Sequence, residues 1–172
     1  MELLIKGVSM SECILSADVF FTKGLVELLG EDFINESYII VDLDCFPSSK
    51  NDLLSSRSKN VIGFASNDFS CYLAEKMKMD FILNKKSALK DIIDFFLFRK
   101  TKALYYSHTP LTVREKQLLD LVCTGASPLE LAISLGVKTK TIYTFRRNIM
   151  IKLGCNNRLN LQQLWSEKTL GY

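Results

Sequence analysis

The stretch LTVREKQLLDLVCTGASPLELAISLGVKTKTIYTFRRNIMIKLGCNNRLNL, Leu111–Leu161, decides how the carboxyl-terminal part of this chain folds. Residues 138–153 within it carry five Lys or Arg and no acid. At 100° per residue, Ile142, Phe145, Ile149 and Leu153 fall on one stripe, and Lys140, Tyr143, Thr144 and Arg147 fall opposite. A helix that buries one side and offers cations and short polar groups on the other suits the major groove of DNA. Upstream, Thr112 and Glu115 have the spacing of a capping box, and Leu118, Leu121 and Val122 continue an apolar face. Ser127 is a good N-cap, with Pro128 at the first helical position, where a missing N–H costs nothing. Leu131, Ala132 and Leu135 form the next apolar face, and Gly136-Val137 the tight turn after it. The spacing predicts helices over 112–124, 128–135, 139–153 and 158–165, an all-α four-helix unit built round a helix-turn-helix.

Charge divides the chain in the same place. Residues 1–104 hold 13 Lys/Arg and 15 Asp/Glu, a net of −2; residues 105–172 hold 9 and 4, a net of +5; together they give the +3 of the whole. A basic patch confined to the smaller part is the electrostatic footprint of a nucleic-acid module joined to something else. Residues 99–110 (RKTKALYYSHTP) are weakly patterned and end in Pro110, which reads as a linker or helix extension. Two domains are expected, 1–104 and 105–172.

Along residues 1–104, strands and helices alternate. Strands are expected over 13–17, 38–43, 59–65 and 81–83, and helices over 20–29, 69–77 and 88–98. Gly30 ends the first helix, Ser66 or Asn67 caps the second, and Ser87 caps the third. The region 31–36, where another strand would fit, lacks a clear one. The pattern implies a small α/β domain with a mainly parallel sheet.

The motifs of the carboxyl-terminal half resemble, in order and without gaps, the LuxR/FixJ (NarL) type of helix-turn-helix. They are Leu111-Thr112-Val113-Arg114-Glu115, Gly125-Ala126-Ser127, Leu131 to Val137, Thr141-Ile142, Lys152-Leu153 and Asn157-Arg158. Lys138 departs from the usual small N-cap, a role Thr139 would then take one residue later, and Phe145 replaces a frequent His. The resemblance implies that Tyr143, Thr144 and Arg147 touch base edges. Lys138, Lys140, Thr141, Arg146 and Lys152 would grip phosphates. Tyr143 has the plainer alternative of packing on a neighbouring helix. Leu159, Leu161, Leu164 and Trp165 are either dimer contacts or ordinary core.

The order of elements in residues 1–104 resembles a phospho-acceptor receiver domain in degenerate form, as in atypical enterobacterial regulators of the RcsA type. Candidate remnants of its site are Asp18, Asp42 or Asp44, Ser66 and Lys85. A receiver pairs two acids after its first strand to hold magnesium, and here only Asp18 stands there, between Ala17 and Val19. One carboxylate binds magnesium weakly, so phosphoryl transfer from a kinase is not expected. The resemblance implies instead a partner: a second copy of this chain, or a conventional response regulator in a heterodimer.

Other function classes find little support. Cys13, Cys45, Cys71, Cys123 and Cys155 are odd in number and form no CxxC pair, which points away from a disulfide framework or a zinc site and toward reduced, mostly buried thiols. The sole histidine, His108, lies in the linker without a nucleophile or metal-ligand partner, and no phosphate-binding glycine loop is present. No catalytic residue, cofactor or metal is therefore expected. The longest apolar runs are too short to span a bilayer and the first residues lack a signal-peptide layout, so a cytoplasmic protein is expected. The reading is a sequence-specific transcription regulator that binds double-stranded DNA. The competing reading is an interaction protein that sequesters a related regulator in an inactive dimer.

Overall fold

A computed structural model of the chain describes residues 13–45, 59–123 and 125–154. The helix expected over 158–165, with its four apolar residues, lies outside them. The amino-terminal part is a four-stranded, wholly parallel sheet in the order β1 (Ile14–Leu15), β2 (Tyr38–Asp42), β3 (Asn60–Ala65), β4 (Phe81–Asn84). The doubly wound order 2-1-3-4-5, stripped of its outer strand, is this order. In place of that strand, residues Glu31–Ser37 form a short helix, α2, directly after α1 (Val19–Leu29). Glu31 and Asp32 in its first turn complement the positive end of the helix dipole, a local reason for helix over strand.

β2 is buried on both sides, and period-2 alternation sends its residues into two cores. Tyr38 and Ile40 join Ile62, Phe64, Phe95 and Phe96 beneath α1, α2 and α4 (Leu89–Phe98). Ile39 and Val41 face the other way, toward Phe69 and Leu73 of α3 (Asp68–Lys76). Caps follow local chemistry. Asp18 accepts hydrogen bonds from Phe20 N at 3.0 Å and Phe21 N at 3.1 Å, and Asn67, not Ser66, caps α3 through Ser70 N at 2.9 Å. Ser87 does not cap α4. Ala88 occupies the N-cap position, and the Ser87 hydroxyl is turned toward the carbonyl of Ala103.

The segment read as a linker is strapped to the sheet. After a 3-10 turn at Thr101–Ala103, Leu104 bridges Leu83 in antiparallel sense, and Tyr105 N donates to Ile82 O at 2.8 Å. Tyr105 Oη and Thr109 Oγ1 each donate to Asp68 at 2.9 Å. Burial pushes the Asp68 carboxyl up, but the hydrogen bonds from Thr109 and Tyr105 outweigh it and hold it below its ordinary range. Three helices follow: α5 (Val113–Cys123), α6 (Pro128–Leu135) and α7 (Thr139–Lys152).

α5 lies against α3, and the apolar cluster under α3 runs without a break into Leu118, Leu119, Leu131, Ile142 and Ile149. Charged residues border this seam, with Lys76 and Tyr72 on Asp120 and Lys116 on Glu75. Such exposed pairs contribute about 0–1 kcal/mol each, so the buried apolar contact holds the seam. Among the described cysteines, Cys71 is buried at the seam while Cys13 and Cys45 are only half-buried.

Candidate nucleic-acid interface

The recognition face is assembled from caps inward. Thr112 N donates to Glu115 Oε2 at 2.8 Å and Glu115 N to Thr112 Oγ1 at 3.3 Å, the reciprocal box that starts α5. Ser127 and Glu130 form a second one at the start of α6. Gly136 ends α6 at φ 63°, a left-handed conformation that a side chain disfavours, and so turns the chain sharply into α7. α7 then packs across both preceding helices through Ile142, Ile149 and Leu153, 0%, 0% and 9% exposed.

The opposite side of α7 is open. Lys138, Lys140, Tyr143, Thr144 and Arg147 are all exposed, Tyr143 at 58%, and Thr141 is half-buried at the edge of the group. Thr144 Oγ1 donates back to Lys140 O at 3.3 Å. Lys138 is the N-cap residue and supplies no side-chain cap; Thr139 is already helical and does not replace it. The first N–H groups of α7 therefore receive no side-chain cap from Lys138 and lie beside two exposed lysines, a combination that attracts anions.

Two residues assigned to phosphate contact from the sequence are placed elsewhere. Arg146 is 8% exposed, because it follows Ile142 by four residues and precedes Ile149 by three, on the buried stripe. Lys152 turns inward: Nζ lies 2.7 Å from Glu115 Oε2 and 3.1 Å from Pro110 O. Glu115 is 3% exposed. Burial raises its pKa, while the bonds from Lys152 and Thr112 outweigh it and hold the carboxyl below its ordinary range. Lys152 thus fastens the far end of α7 to the start of α5. Sequence reasoning missed this pair because its members are 37 residues apart and each looks like a surface charge.

The receiver-like remnants do converge, at the carboxyl ends of the strands. Lys85 Nζ lies 2.8 Å from Asp42 Oδ2 and 3.8 Å from Asp18 Oδ2, and 4.6 Å from the Phe21 ring centroid. Ser16 Oγ donates to Asp42 Oδ2 at 2.8 Å and Asp44 N to Asp42 Oδ1 at 3.2 Å, so both oxygens of this fully buried carboxylate are engaged. Burial lowers the pKa of Lys85, yet the hydrogen bond and charge of Asp42 raise it further, keeping the ammonium charged. Asp44 is committed elsewhere, accepting from Ser70 Oγ at 2.7 Å and capping the β3–α3 turn through Ser66 N and Asn67 Nδ2. Ser66 stands beside Asp44 and not on Asp42. Among the described residues, no three His, Cys, Asp or Glu side chains are grouped so as to hold a metal ion. No helix among them is long and apolar enough to cross a membrane.

Residues 109–164 match the family model of bacterial regulatory proteins, luxR family. The chain is 40% identical over 52 residues to the transcriptional regulatory protein UhpA of Escherichia coli (strain K12), covering 30% of this chain and 26% of that one. It is 39% identical over 56 residues to DesR of Bacillus subtilis (strain 168), covering 33% and 28%. The sequence match thus spans about a quarter of those relatives, and the segment that matches the luxR-family model contains the helix-turn-helix. RcsB in a structure of two dimers on two parallel DNAs aligns at TM-score 0.53 and 17% identity, over 91% of this chain and 97% of that one. RcsB of Salmonella enterica serovar Typhimurium, bound to promoter DNA with a phosphomimetic, aligns at TM-score 0.51 over the same shares. At that identity the likeness concerns the fold: a receiver-like sheet unit followed by a helix-turn-helix.

Proposed function

We propose that this chain, whose residues 109–164 carry a luxR-family helix-turn-helix, is a cytoplasmic, sequence-specific transcription regulator that binds double-stranded DNA without being phosphorylated. The observation that carries this reading is the exposed face of α7, basic and free of acids, on a helix whose other side is locked into α5 and α6. Arg147 donates two hydrogen bonds to a guanine, Thr144 offers its methyl to a thymine, and Tyr143 flanks Arg147 on the same exposed face. Lys138, Lys140 and Thr141, at the amino end of α7, meet the phosphates. Residues 1–104 and 105–172 act as the pairing unit and the reading unit.

Binding sites selected by the full chain from a random duplex pool provide the test. Arg147→Ala should lose about 1–3 kcal/mol of discrimination at one base position while keeping wild-type thermal stability. Lys140→Ala should weaken all sequences alike and lower the salt slope by about one. Wild-type sequence preference in Arg147→Ala, or binding that ignores salt, would refute the reading.

Phosphorylation independence is supported by Asp42, which has no exposed oxygen and is already neutralised by Lys85. Incubation with a small phosphodonor should leave the intact mass unchanged; a stoichiometric gain of one phosphoryl group would overturn this part. The sequestering alternative is disfavoured by the same open basic face, which an inactive pairing partner has no use for.

A further inference from the structure

The open side of α7 runs on past Arg147 to the carboxyl end of the helix. At 100° per residue, Lys140, Thr144, Arg147, Asn148 and Ile151 share a stripe about 100° wide, opposite Ile142, Ile149 and Leu153. Ile151 is 68% exposed, and Asn148 is exposed beside it. Neither belongs to the apolar core that holds α7 on α5 and α6. Asn148 follows Thr144 by four residues and precedes Ile151 by three, so the three side chains are neighbours on the helix surface.

Both residues cost the helix something. Asparagine weakens a helix because its amide competes for backbone groups, and β-branched isoleucine loses rotamer freedom against the preceding turn. An exposed isoleucine also leaves its apolar surface in water. Alanine or lysine at either position would serve the fold better. A major groove, however, has a use for each. The amide oxygen of asparagine accepts from N6–H of adenine while its nitrogen donates to N7. An apolar side chain beside it meets the C5 methyl of thymine.

The surroundings favour bases over phosphates at this end. Lys152, the cation of the last turn, is turned inward onto Glu115 Oε2 at 2.7 Å and Pro110 O at 3.1 Å. The carboxyl end of a helix is also the negative end of its dipole, which repels phosphate. The amino end of α7 has the opposite polarity, with Lys138 and Lys140 exposed there. The stripe is therefore divided: cations at one end, neutral groups that match base edges at the other. From Lys140 to Ile151 the helix rises about 16 Å, comparable with roughly five base pairs.

We propose that Asn148 and Ile151 are specificity-determining residues. Asn148 reads an adenine, and Ile151 a thymine methyl, in the base step next to the guanine held by Arg147. The inference rests on the reading of α7 as the helix that enters the groove, and it lengthens the sequence recognised there.

Sites selected by the full chain from a random duplex pool supply the test, with thermal midpoints measured in parallel. Asn148→Ala loses a preference of about tenfold for adenine at one position beside the guanine. Its thermal midpoint is equal to or above that of the wild type, since alanine is the better helix former. Asn148→Asp moves the preference at that position from adenine to cytosine, whose N4–H a carboxylate accepts. For Ile151, uracil in place of the neighbouring thymine weakens the wild type by about threefold, the loss of one buried methyl. Ile151→Ala binds the thymine and uracil duplexes alike.

An unchanged selected motif in Asn148→Ala and Ile151→Ala would overturn the inference while leaving the regulator reading standing. So would a uniform loss of affinity on all sequences in Asn148→Ala, with a shallower salt slope, because that is the mark of a phosphate contact. A wild type that selects no sequence would sink the regulator reading and this inference with it.

Discussion

Asp42 and Glu115 lie in different halves of the molecule, yet their immediate surroundings are alike. Each carboxylate is almost wholly buried (0% and 4% exposed), and each holds a partly exposed lysine at 2.8 and 2.7 Å (Lys85 at 21%, Lys152 at 26%). The difference lies in what the pair joins. Asp42–Lys85 ties the carboxyl end of β2 to that of β4 across β3, strands already held by the sheet, with Ser16 Oγ and Asp44 N as further donors. Glu115–Lys152 ties the last turn of the DNA-reading helix to the first turn of α5. The same chemistry closes a site in one half and aims one in the other.

The largest effect should come from Lys152→Met, which leaves Glu115 buried without its cation. A loss of about 3–5 kcal/mol in urea unfolding is expected, with weaker DNA binding on every sequence. Lys85→Met should cost less, about 1–3 kcal/mol, because Asp42 keeps two other donors, and its DNA affinity should match the wild type. Equal costs, or a DNA defect in Lys85→Met, would erase the distinction between the two pairs.

Acid sharpens the comparison further. Glu115 has a lowered pKa in the folded state, so its contribution is present above the ordinary carboxylate range and is lost as pH falls through the depressed value. Thermal midpoints followed from pH 7 downward should fall more shallowly in Glu115→Gln than in the wild type, starting from a lower value. The smallest expected effect concerns Cys71. Burial, and then the charges of Glu75 and Asp68, push its thiol up to about 11, so alkylation near neutral pH should be slower there than at Cys13 or Cys45. Fast modification of Cys71 would mean that the α3–α5 seam opens readily.

What the sequence made legible is local. Thr112 with Glu115, Ser127 as an N-cap, and Gly136 act within four residues of themselves, and each is found in its expected role. β-branched runs likewise gave the sheet its strands. Arg146 was also readable in principle, since its spacing from Ile142 and Ile149 puts it on the buried stripe, but counting cations hid the periodicity. Three features depend on residues far apart in the chain and left no local trace. These are the Lys152–Glu115 fastening, the packing of α5 on α3, and the strap that joins Tyr105 to β4. Element order leaves room for a strand over residues 31–36, where the sequence lacks a clear one; the acids at the start of that segment favour the helix found there.

The strap has a consequence for how two copies would read DNA. Because Leu104 and Tyr105 are stitched to the margin of the sheet and Tyr105 and Thr109 to Asp68, the reading head has no slack with respect to its own sheet. Two such molecules on one duplex would act as a caliper with a fixed gap, expected to tolerate substitutions between the two sequences they grip far better than a change in the number of base pairs separating them.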